Sequence, residues 1–495
     1  MNSDSSHTPR PTSIGKPAAL EWAIDLVGAA LLVVGVGGLV WLDAVNGTLR
    51  AGVTSSTITW FLVAFAGFVV LLRVQVGRIS FDWRNLLAVG LLLRIALFFT
   101  EPTLSDDVYR YLWEGHIVTQ GVSPYSFPID SPLGDPLNIR ARELANNTSL
   151  ASPYLPVAHA IFALAAWVLP SEPLSMQIVM VAFETLGATM IMRLLTATGL
   201  PLRRVLIYWL NPLVIVEIAH GAHLDALIIG LGFTGLWLTF DKARSSPAAA
   251  IAAPIVFAAA TLTRPLALLF VPVLFWVWNW RQRLLYGAVV LIPIAIAGAW
   301  VGLGLTADDG VGVFGSVRAY SETFRFNSGI YHWSERWISS QGLDDRGWNE
   351  PINLTRLVIF AVVAVAMLGV FVRASRVQEL RGQVRLLAAP MMIYVLLTPV
   401  LHPWYVLLLL ALVPLLAPGA DERTRDWGRL VPWLALSALL IFSYLTYEDP
   451  NFFAEREWIR RLEWFPTLGL FAVVALSRIG LTSPPKNRAE TNATR

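Results

Sequence analysis

The 495-residue sequence contains no cysteine and only three lysines, Lys16, Lys242 and Lys486. Without cysteine, the chain can form neither a disulfide framework nor a thiolate metal site. Charge is scarce in general: charged residues make up 14% of the chain, whereas hydrophobic residues make up 56%. The polar segment 1–17 also lacks the charged, apolar and small-residue layout of a cleaved signal peptide. The composition is therefore typical of a polytopic membrane protein whose first apolar run is a retained span.

Apolar runs recur along the chain, and several reach the roughly 20 residues that cross about 30 Å of hydrocarbon. Many of the 20 tryptophans lie at the ends of these runs, where aromatic belts form. The sequence predicts an all-α polytopic membrane protein of about 13–14 transmembrane helices, with a large first extracytoplasmic loop carrying short amphipathic helices. The candidate spans are residues 22–42, 56–72, 86–100, 177–196, 205–219, 222–240, 249–262, 266–278, 284–303, 354–372, 386–400, 405–416, 430–444 and 464–477.

The distribution of basic residues orients these spans, because cytoplasmic loops are enriched in lysine and arginine. All three lysines and most arginine clusters then fall on the cytoplasmic side, and acidic residues concentrate on the other side. This alternation requires that the apolar run 157–169 does not cross, and we predict a short helix lying in the outer leaflet there. The short runs 249–262 and 266–278 are compatible with a hairpin that does not fully emerge.

The predicted organisation is a single transmembrane domain, residues 21–480, between disordered cytoplasmic termini at 1–20 and 481–495. Three long outer loops, 101–156, 306–353 and 446–463, share the extracytoplasmic face. Two tight connections, around His220 and around His402, open on the same face. No internal repeat is evident, which counts against a transporter built from inverted repeats.

The first outer loop begins with adjacent acids, Asp106 and Asp107, directly after a predicted membrane helix. Charges at such a boundary are costly to bury and usually serve a purpose. In a helix, Asp107 shares a face with Tyr111, and Arg110 shares one with Glu114, so that the second pair can be an ordinary ion pair. Asp106 suits an N-cap. Asp107 suits a general base acting on a hydroxyl.

A second polar group lies around the Asn-Pro dipeptide 211–212, inside a short apolar run. This dipeptide predicts a broken helix whose freed backbone groups line a cavity. Glu217 would be costly facing lipid. His220, His223 and Asp225 could bind a metal ion. The alternative is a polar turn with a helix N-cap at 223–225, and we regard the metal hypothesis as the weaker of the two.

Further candidates lie at predicted span ends. Arg264 could pair with a lipid phosphate or with Glu217. His402 could hold a phosphate or be an ordinary interfacial histidine, and Tyr405 could belong to an aromatic belt.

The second and third outer loops add two more polar residues. Asn327 lies in a segment whose arginine, tyrosine and asparagine side chains suit phosphate groups and sugar hydroxyls. Glu463 is expected to be the N-terminal acid of the last span, where a negative charge complements the helix dipole.

Taken together and in this order, these sequence segments resemble those of the GT-C superfamily of integral-membrane glycosyltransferases. The resemblance is strongest to the bacterial polyprenol-phosphate-mannose-dependent mannosyltransferase-like branch. The resemblance extends over roughly residues 22–477. No single piece is specific, but their order and common predicted face support the match. The segments that carry it are 107–115 with 121–125, 211–225, 264–265, 326–328 and 402–405.

The resemblance implies a loop acid as the catalytic base, for which we choose Asp107, with Asp106 as the other candidate. It implies a sugar donor carried on a polyprenyl phosphate, with mannose as the leading guess, and a glycan or glycolipid acceptor. The remaining residues predicted to bind substrate are Arg110, Tyr111, Glu217, His220, His223, Asp225, Arg264, Asn327, His402 and Tyr405. No metal ligand is assigned, and a divalent cation is left open as a cofactor.

The expected activity is therefore an inverting hexosyl transfer at the extracytoplasmic face of the bacterial plasma membrane. The expected partners are the lipid-linked donor, the acceptor and the bilayer, without nucleic acid. The alternative from another class is a transporter or flippase of lipid-linked sugars that has no transferase activity. An O-antigen ligase or polymerase is a further alternative, although it would be expected to carry a different loop signature.

Overall fold

The structure is a computed structural model that describes residues 19–46, 54–73, 82–169, 172–240, 246–305, 310–343, 354–416, 428–447 and 455–479. The predicted disordered C-terminus, 481–495, lies outside these residues. Of the predicted disordered N-terminus, 1–20, only its last two residues are described, and they already belong to the first helix. Parts of the second and third outer loops, 306–309, 344–353 and 448–454, also lie outside the description.

The described residues are predominantly helical. The α-helices are, in chain order, α1 (Ala19–Asn46), α2 (Thr54–Leu71), α3 (Trp83–Leu97), α4 (Asp107–Thr119), α5 (Arg140–Leu144), α6 (Pro156–Val168), α7 (Pro173–Ala197), α8 (Leu206–Trp209), α9 (Pro212–Ile215), α10 (Asp225–Phe240), α11 (Pro247–Thr261), α12 (Val271–Val277), α13 (Trp280–Val301), α14 (Gly315–Thr323), α15 (Ile330–Ser340), α16 (Leu354–Arg376), α17 (Leu380–Leu386), α18 (Ala388–Leu397), α19 (Leu407–Leu416), α20 (Val431–Leu439) and α21 (Glu457–Ile479).

Shorter helical segments join several of these helices. The 3₁₀ segments are Pro132–Leu137, Leu202–Val205, Pro265–Phe270, Pro403–Val406 and Leu440–Tyr447, and a π-helical turn covers Val216–His220. Within the described part of the chain, β-structure is limited to isolated bridges that pair Phe326 and Asn327 with Val400. The all-α prediction is therefore confirmed.

The polytopic class is confirmed by the length and apolarity of the helices. Among the described residues, five helices can cross a membrane, namely α1, α7, α13, α16 and the continuous pair α17–α18, and a bent helix pair, Pro212–His220 with Asp225–Phe240, can make a sixth span. Six further apolar helices have only 10–17 residues. The number of 13–14 spans consequently stays a prediction. The outermost helices suit a lipid environment, since no residue of α13 is buried although the helix is strongly apolar.

The segment predicted as the first outer loop forms short helices, as predicted. Helix α4 packs on α6, and Gly115 permits the close contact, because a Cβ there would lie 2.3 Å from the carbonyl oxygen of Phe162. Tyr111 stacks on the Phe162 ring with centroids 4.7 Å apart. Gly121, at φ +75°, follows the helix end and turns the chain back. The predicted helix at 157–169 is α6, and its position in the outer leaflet stays a prediction.

A buried ion pair joins α3 to α7 inside the bundle. Arg94 Nε donates to Glu184 Oε2 at 2.7 Å, and both side chains are fully buried. The Arg94 guanidinium also lies 3.8 Å from the ring centroid of Trp209. The sequence analysis did not select this pair, although each member lies within an apolar run. It connects the helix that leads into the acidic loop to the centre of the bundle.

Candidate active site

Asp107 is the first residue of α4, and neighbouring groups hold its carboxylate. Asn146 Nδ2 donates to Oδ1 at 2.6 Å, and the Tyr111 hydroxyl donates to Oδ2 at 3.3 Å. Burial, and next the Asp107 charge, raise the pKa of Tyr111 well above its usual value, so this hydroxyl remains a donor. The Asp107 side chain keeps 17% of its surface exposed. Asp107 is therefore oriented and still accessible to a reactant.

The neighbouring acid, Asp106, does not cap the helix in the predicted way. It occupies the N-cap position, but its side chain makes no capping hydrogen bond. The Ser105 hydroxyl instead accepts the backbone N–H of Asp107 at 3.3 Å. Asp106 interacts electrostatically with Tyr447. The carboxylate of Asp107 lies beside His223 of the broken span, with Oδ2 3.8 Å from Nδ1.

The helix break predicted at the Asn-Pro dipeptide is observed, since α8 ends at Trp209 and α9 begins at Pro212, whereas a cavity lined by the freed backbone groups stays a prediction. Asn211 Oδ1 accepts the N–H of Leu213 at 2.9 Å and starts α9, and Pro212 fills the first helical position. The chain then passes through the π-helical turn and bends by 111° before α10. Ala222, with φ +52°, lies at this bend. The break turns the polar residues 217–225 into the protein interior.

Glu217 and His223 form the centre of this cluster. The Tyr444 hydroxyl lies 2.9 Å from each carboxylate oxygen of Glu217 and donates to them. His223 Nε2 is 3.1 Å from Glu217 Oε2, and His223 Nδ1 is 3.8 Å from Asp107 Oδ2. Neither ring nitrogen is aligned for a hydrogen bond. An imidazole thus lies between two carboxylates, one from the acidic loop and one from the broken span.

Four rings stack beside these acids. His223 lies on Trp404 with centroids 3.8 Å apart, and Trp404 lies on His402 at 4.4 Å. His402 in turn lies on Phe326 at 4.4 Å. Burial, and next the charges of His223 and Arg264, lower the pKa of His402 to about 3. His402 is consequently neutral at physiological pH, and it could contact a phosphate as a hydrogen-bonding group but not as a cation.

Arg264 supplies a fixed cation near these residues. Its Nη1 donates to both carboxylate oxygens of Asp225, at 3.2 and 3.1 Å, and Asp225 is fully buried. The pairing with Glu217 considered from the sequence is wrong, because Glu217 is held by Tyr444. The Arg264 guanidinium lies 4.1 Å from the Tyr405 ring centroid, and the Tyr405 and Tyr320 hydroxyls are 2.8 Å apart. Tyr405 interacts electrostatically with both Arg264 and Asp107.

Two residues predicted to bind substrate are committed to internal contacts. Arg110 forms the predicted ion pair with Glu114, Nε to Oε1 at 2.8 Å, and its terminal nitrogens donate to four backbone carbonyls between residues 146 and 151. His220 Nε2 accepts the N–H of Thr103, and its Nδ1 lies 2.8 Å from the Thr100 hydroxyl. These contacts tie the acidic loop to its neighbours, and a role of either side chain in substrate binding stays a prediction.

Asn327 is likewise held by acids. Its backbone N–H donates to Glu455 and its Nδ2 donates to Glu463 Oε2. Trp464 Nε1 donates to the Asn327 carbonyl at 3.1 Å. The expected role of Glu463 as the N-terminal acid of the last span is wrong, because α21 begins at Glu457 and Glu463 is buried six residues further along the helix. Asn327 thus joins the second outer loop to the last helix.

The sequence analysis missed Tyr444 and Asn146, which hold the two central carboxylates. Tyr444 is 227 residues from Glu217 and Asn146 is 39 residues from Asp107. A tyrosine at the end of an apolar run has the appearance of an aromatic belt, and an asparagine in a polar loop has no distinguishing pattern. For the cation left open above, the described residues contain no group of three or more His, Asp or Glu that could hold a metal ion.

Comparison with known proteins adds a family assignment to this geometry. A family model described as the N-terminal domain of alpha-(1->6)-mannopyranosyltransferases matches residues 23–280, slightly more than half of the chain. The chain is also similar to alpha-(1->6)-mannopyranosyltransferase A of Mycobacterium tuberculosis. The two are 27% identical over 417 residues, which cover 72% of this chain and 73% of the mycobacterial protein. The matched region of the family model contains Asp107, Glu217, His223, Asp225 and Arg264.

Proposed function

The chain belongs to the alpha-(1->6)-mannopyranosyltransferase family of membrane mannosyltransferases, and on this basis we propose which donor it uses and how it catalyses transfer. The donor is a mannosyl residue linked to a polyprenyl phosphate. The acceptor is a hydroxyl of a glycan or glycolipid, and the reaction takes place on the extracytoplasmic face of the plasma membrane. The observation that carries the catalytic assignment is the carboxylate of Asp107, held by Asn146 and Tyr111 beside a buried imidazole.

In this mechanism Asp107 is the general base. It accepts the proton of the acceptor hydroxyl while the hydroxyl oxygen forms a bond to the anomeric carbon. The bond between that carbon and the phosphate oxygen breaks, and its electron pair stays on the phosphate. A single displacement of this kind inverts the anomeric centre. Groups positioned to receive developing negative charge lower the barrier, because they need not reorganise during the reaction.

Arg264 is the residue that we assign to the leaving phosphate. Its cation is bound by Asp225 and lies over Tyr405, so its position is fixed before the donor arrives. Tyr405 interacts electrostatically with both Arg264 and Asp107. Because Tyr405 is a common neighbour, we assign the proposed base and the proposed phosphate ligand to the same reaction centre. His402 could add a neutral hydrogen bond.

A groove between α16 and α18 suits the lipid tail of the donor. Its cavity volume is about 310 Å³, and its walls are mainly apolar, with Phe360 and Met367 from one helix and Ile393 and Leu397 from the other. Tyr394 also lines the groove, and its ring centroid lies 6.4 Å from that of Tyr405. On the proposed function, the lipid tail would lie in this groove beside the largely exposed helix α16, with the phosphate near Tyr405 and Arg264.

The donor assignment is tested with purified protein and radiolabelled mannose on either a polyprenyl phosphate or a nucleotide diphosphate. We expect label to reach the acceptor only from the lipid-linked donor. Use of the nucleotide-linked sugar alone would contradict the donor proposal. Retention of label on the lipid, with movement of the intact lipid between leaflets of a vesicle, would favour the flippase alternative.

The catalytic assignment is tested with Asp107→Asn, which keeps the hydrogen-bonding shape but cannot accept a proton as a carboxylate does. We expect the transfer rate to fall by at least about 100-fold, the lower range for loss of a general base. Asp130→Asn is the matched control, because Asp130 is an exposed acid of the same loop. Wild-type rates in a folded Asp107→Asn protein would refute this role for Asp107.

A further inference from the structure

His223 is a fully buried histidine whose two ring nitrogens both lack an aligned hydrogen-bond partner. Such an arrangement is costly unless the ring interacts with charge, since buried polar groups are normally satisfied. Each nitrogen faces a carboxylate oxygen, Asp107 Oδ2 at 3.8 Å and Glu217 Oε2 at 3.1 Å. The ring therefore connects the proposed base to a second acid that lies deeper in the protein.

The groups around this ring come from several elements. Asp107 faces it from α4, and Glu217, itself bound by Tyr444, faces it from the π-helical turn. The nearby titratable and charged groups that interact with it electrostatically are His220, Asp225 and His402. Trp404 covers one face of the ring, at an interplanar angle of 12°.

Gly221 provides the space in which the ring lies. A Cβ on this residue would be 2.9 Å from His223 Cδ2 and 3.0 Å from Nε2, and 2.9 Å from the Glu217 carbonyl oxygen. Real side chains almost never approach so closely, and here the obstacle includes backbone. Any side chain at 221 would therefore move the imidazole away from Glu217 or distort the turn.

We propose that His223 is a positioning residue of the transfer reaction, and that its imidazole, fixed by Glu217 and Tyr444, orients the Asp107 carboxylate toward the acceptor hydroxyl. This inference rests on the proposed function. His223 does not touch the sugar or the acceptor. The acceptor proton still passes to Asp107, and the electron pair of the broken bond still stays on the phosphate. His223 Nδ1 lies 3.8 Å from Asp107 Oδ2, which is too far for a direct hydrogen bond, so the imidazole limits the positions open to the carboxylate by packing beside it.

The test compares kcat and KM for the acceptor at saturating lipid-linked donor. We expect His223→Gln to lower kcat about 100-fold, with KM within threefold of the wild-type value, because substrate contacts are unchanged. Gly221→Ala should lower kcat in the same way without altering any ionisable side chain. His116→Gln is the matched control, because His116 lies in the last turn of the helix that Asp107 begins, beside Trp113 and Leu137.

Tyr444→Phe removes a single oxygen and so provides a variant that is expected to fold. Loss of the donor to Glu217 should lower kcat about tenfold, and the double variant with His223→Gln should be no slower than His223→Gln alone. A kcat within threefold of wild type in folded His223→Gln or Tyr444→Phe protein would overturn the inference, as would a loss confined to KM. If the wild-type protein itself transfers no mannose from the lipid-linked donor, the proposed function fails instead.

Discussion

Replacing Arg264 by methionine should affect both stability and catalysis, and the structure indicates how the two effects can be separated. The guanidinium makes two hydrogen bonds to Asp225, a carboxylate with no exposed surface, while 18% of the Arg264 side chain remains exposed. Removing one member of a buried pair leaves an uncompensated charge and costs about 3–5 kcal/mol. Because Arg264 is partly exposed, we expect the free energy of unfolding to fall by about 3 kcal/mol, the lower end of this range.

A second substitution, Asp225→Asn, should recover most of that stability, because it removes the charge that Arg264→Met leaves unpaired. Transfer should remain impaired by about 100- to 1,000-fold in the double variant, the range for loss of one preformed charge-stabilising group. Stability is measured by thermal unfolding in detergent, and catalysis is measured as the rate of mannose transfer from the lipid-linked donor.

The buried pair of Arg94 and Glu184 is the control for this experiment. Arg94→Met should destabilise the protein to a similar extent, since both side chains are fully buried. It should leave kcat unchanged in the protein that remains folded, because none of the proposed reacting groups contacts the pair. Wild-type transfer by the stabilised Arg264→Met, Asp225→Asn variant would refute the assignment of Arg264 to the leaving phosphate.

Two more predictions concern the framework of the site. Gly115→Val should separate α4 from α6, since even a Cβ would lie 2.3 Å from a backbone oxygen. We expect the free energy of unfolding to fall by at least about 3 kcal/mol, which is measured as a lower unfolding temperature. An unchanged unfolding temperature would contradict the close packing of the two helices. His402 has a folded-state pKa below its usual value of 6.5, so its contribution to stability is present above that pH and is lost as the pH falls toward about 3. Each pH unit in this window costs at most about 1.4 kcal/mol, less for a partly exposed ring. Wild type should therefore lose more stability than His402→Phe between pH 7 and pH 5, and equal losses would show that this histidine does not carry the acid sensitivity.

Local chemistry allowed part of the site to be predicted. The break at Asn211 follows from proline geometry and a capping side chain, and the contacts of Asp107 with Tyr111 and of Arg110 with Glu114 follow from helical spacing. Each of these depends on residues at most four positions apart. Aspartate is strongly preferred as an N-cap, yet here the hydroxyl of Ser105, and not the carboxylate of Asp106, accepts the first backbone N–H of α4.

The partners of the acids depended on tertiary packing and could not be predicted in the same way. Arg264 was considered from the sequence as an ion-pair partner of Glu217, and the structure satisfies Glu217 with the Tyr444 hydroxyl instead. Trp404 and Tyr405 have the composition of an interface belt, yet Trp404 separates two histidine rings in the interior. A hydrophobic pattern reports that a side chain avoids water, but it does not distinguish contact with lipid from contact with another ring.

The stack of four rings also has a consequence for the order in which the membrane protein matures. Asp107, Glu217, His223 and Arg264 all leave the ribosome within the first 264 residues, whereas Phe326 and the 402–404 segment follow much later. Until those segments are inserted, His223 lacks the Trp404 face, and Glu217 lacks its tyrosine. An unfinished chain would therefore hold the acids without the groups that orient them, so that catalytic competence arises only with insertion of the C-terminal helices.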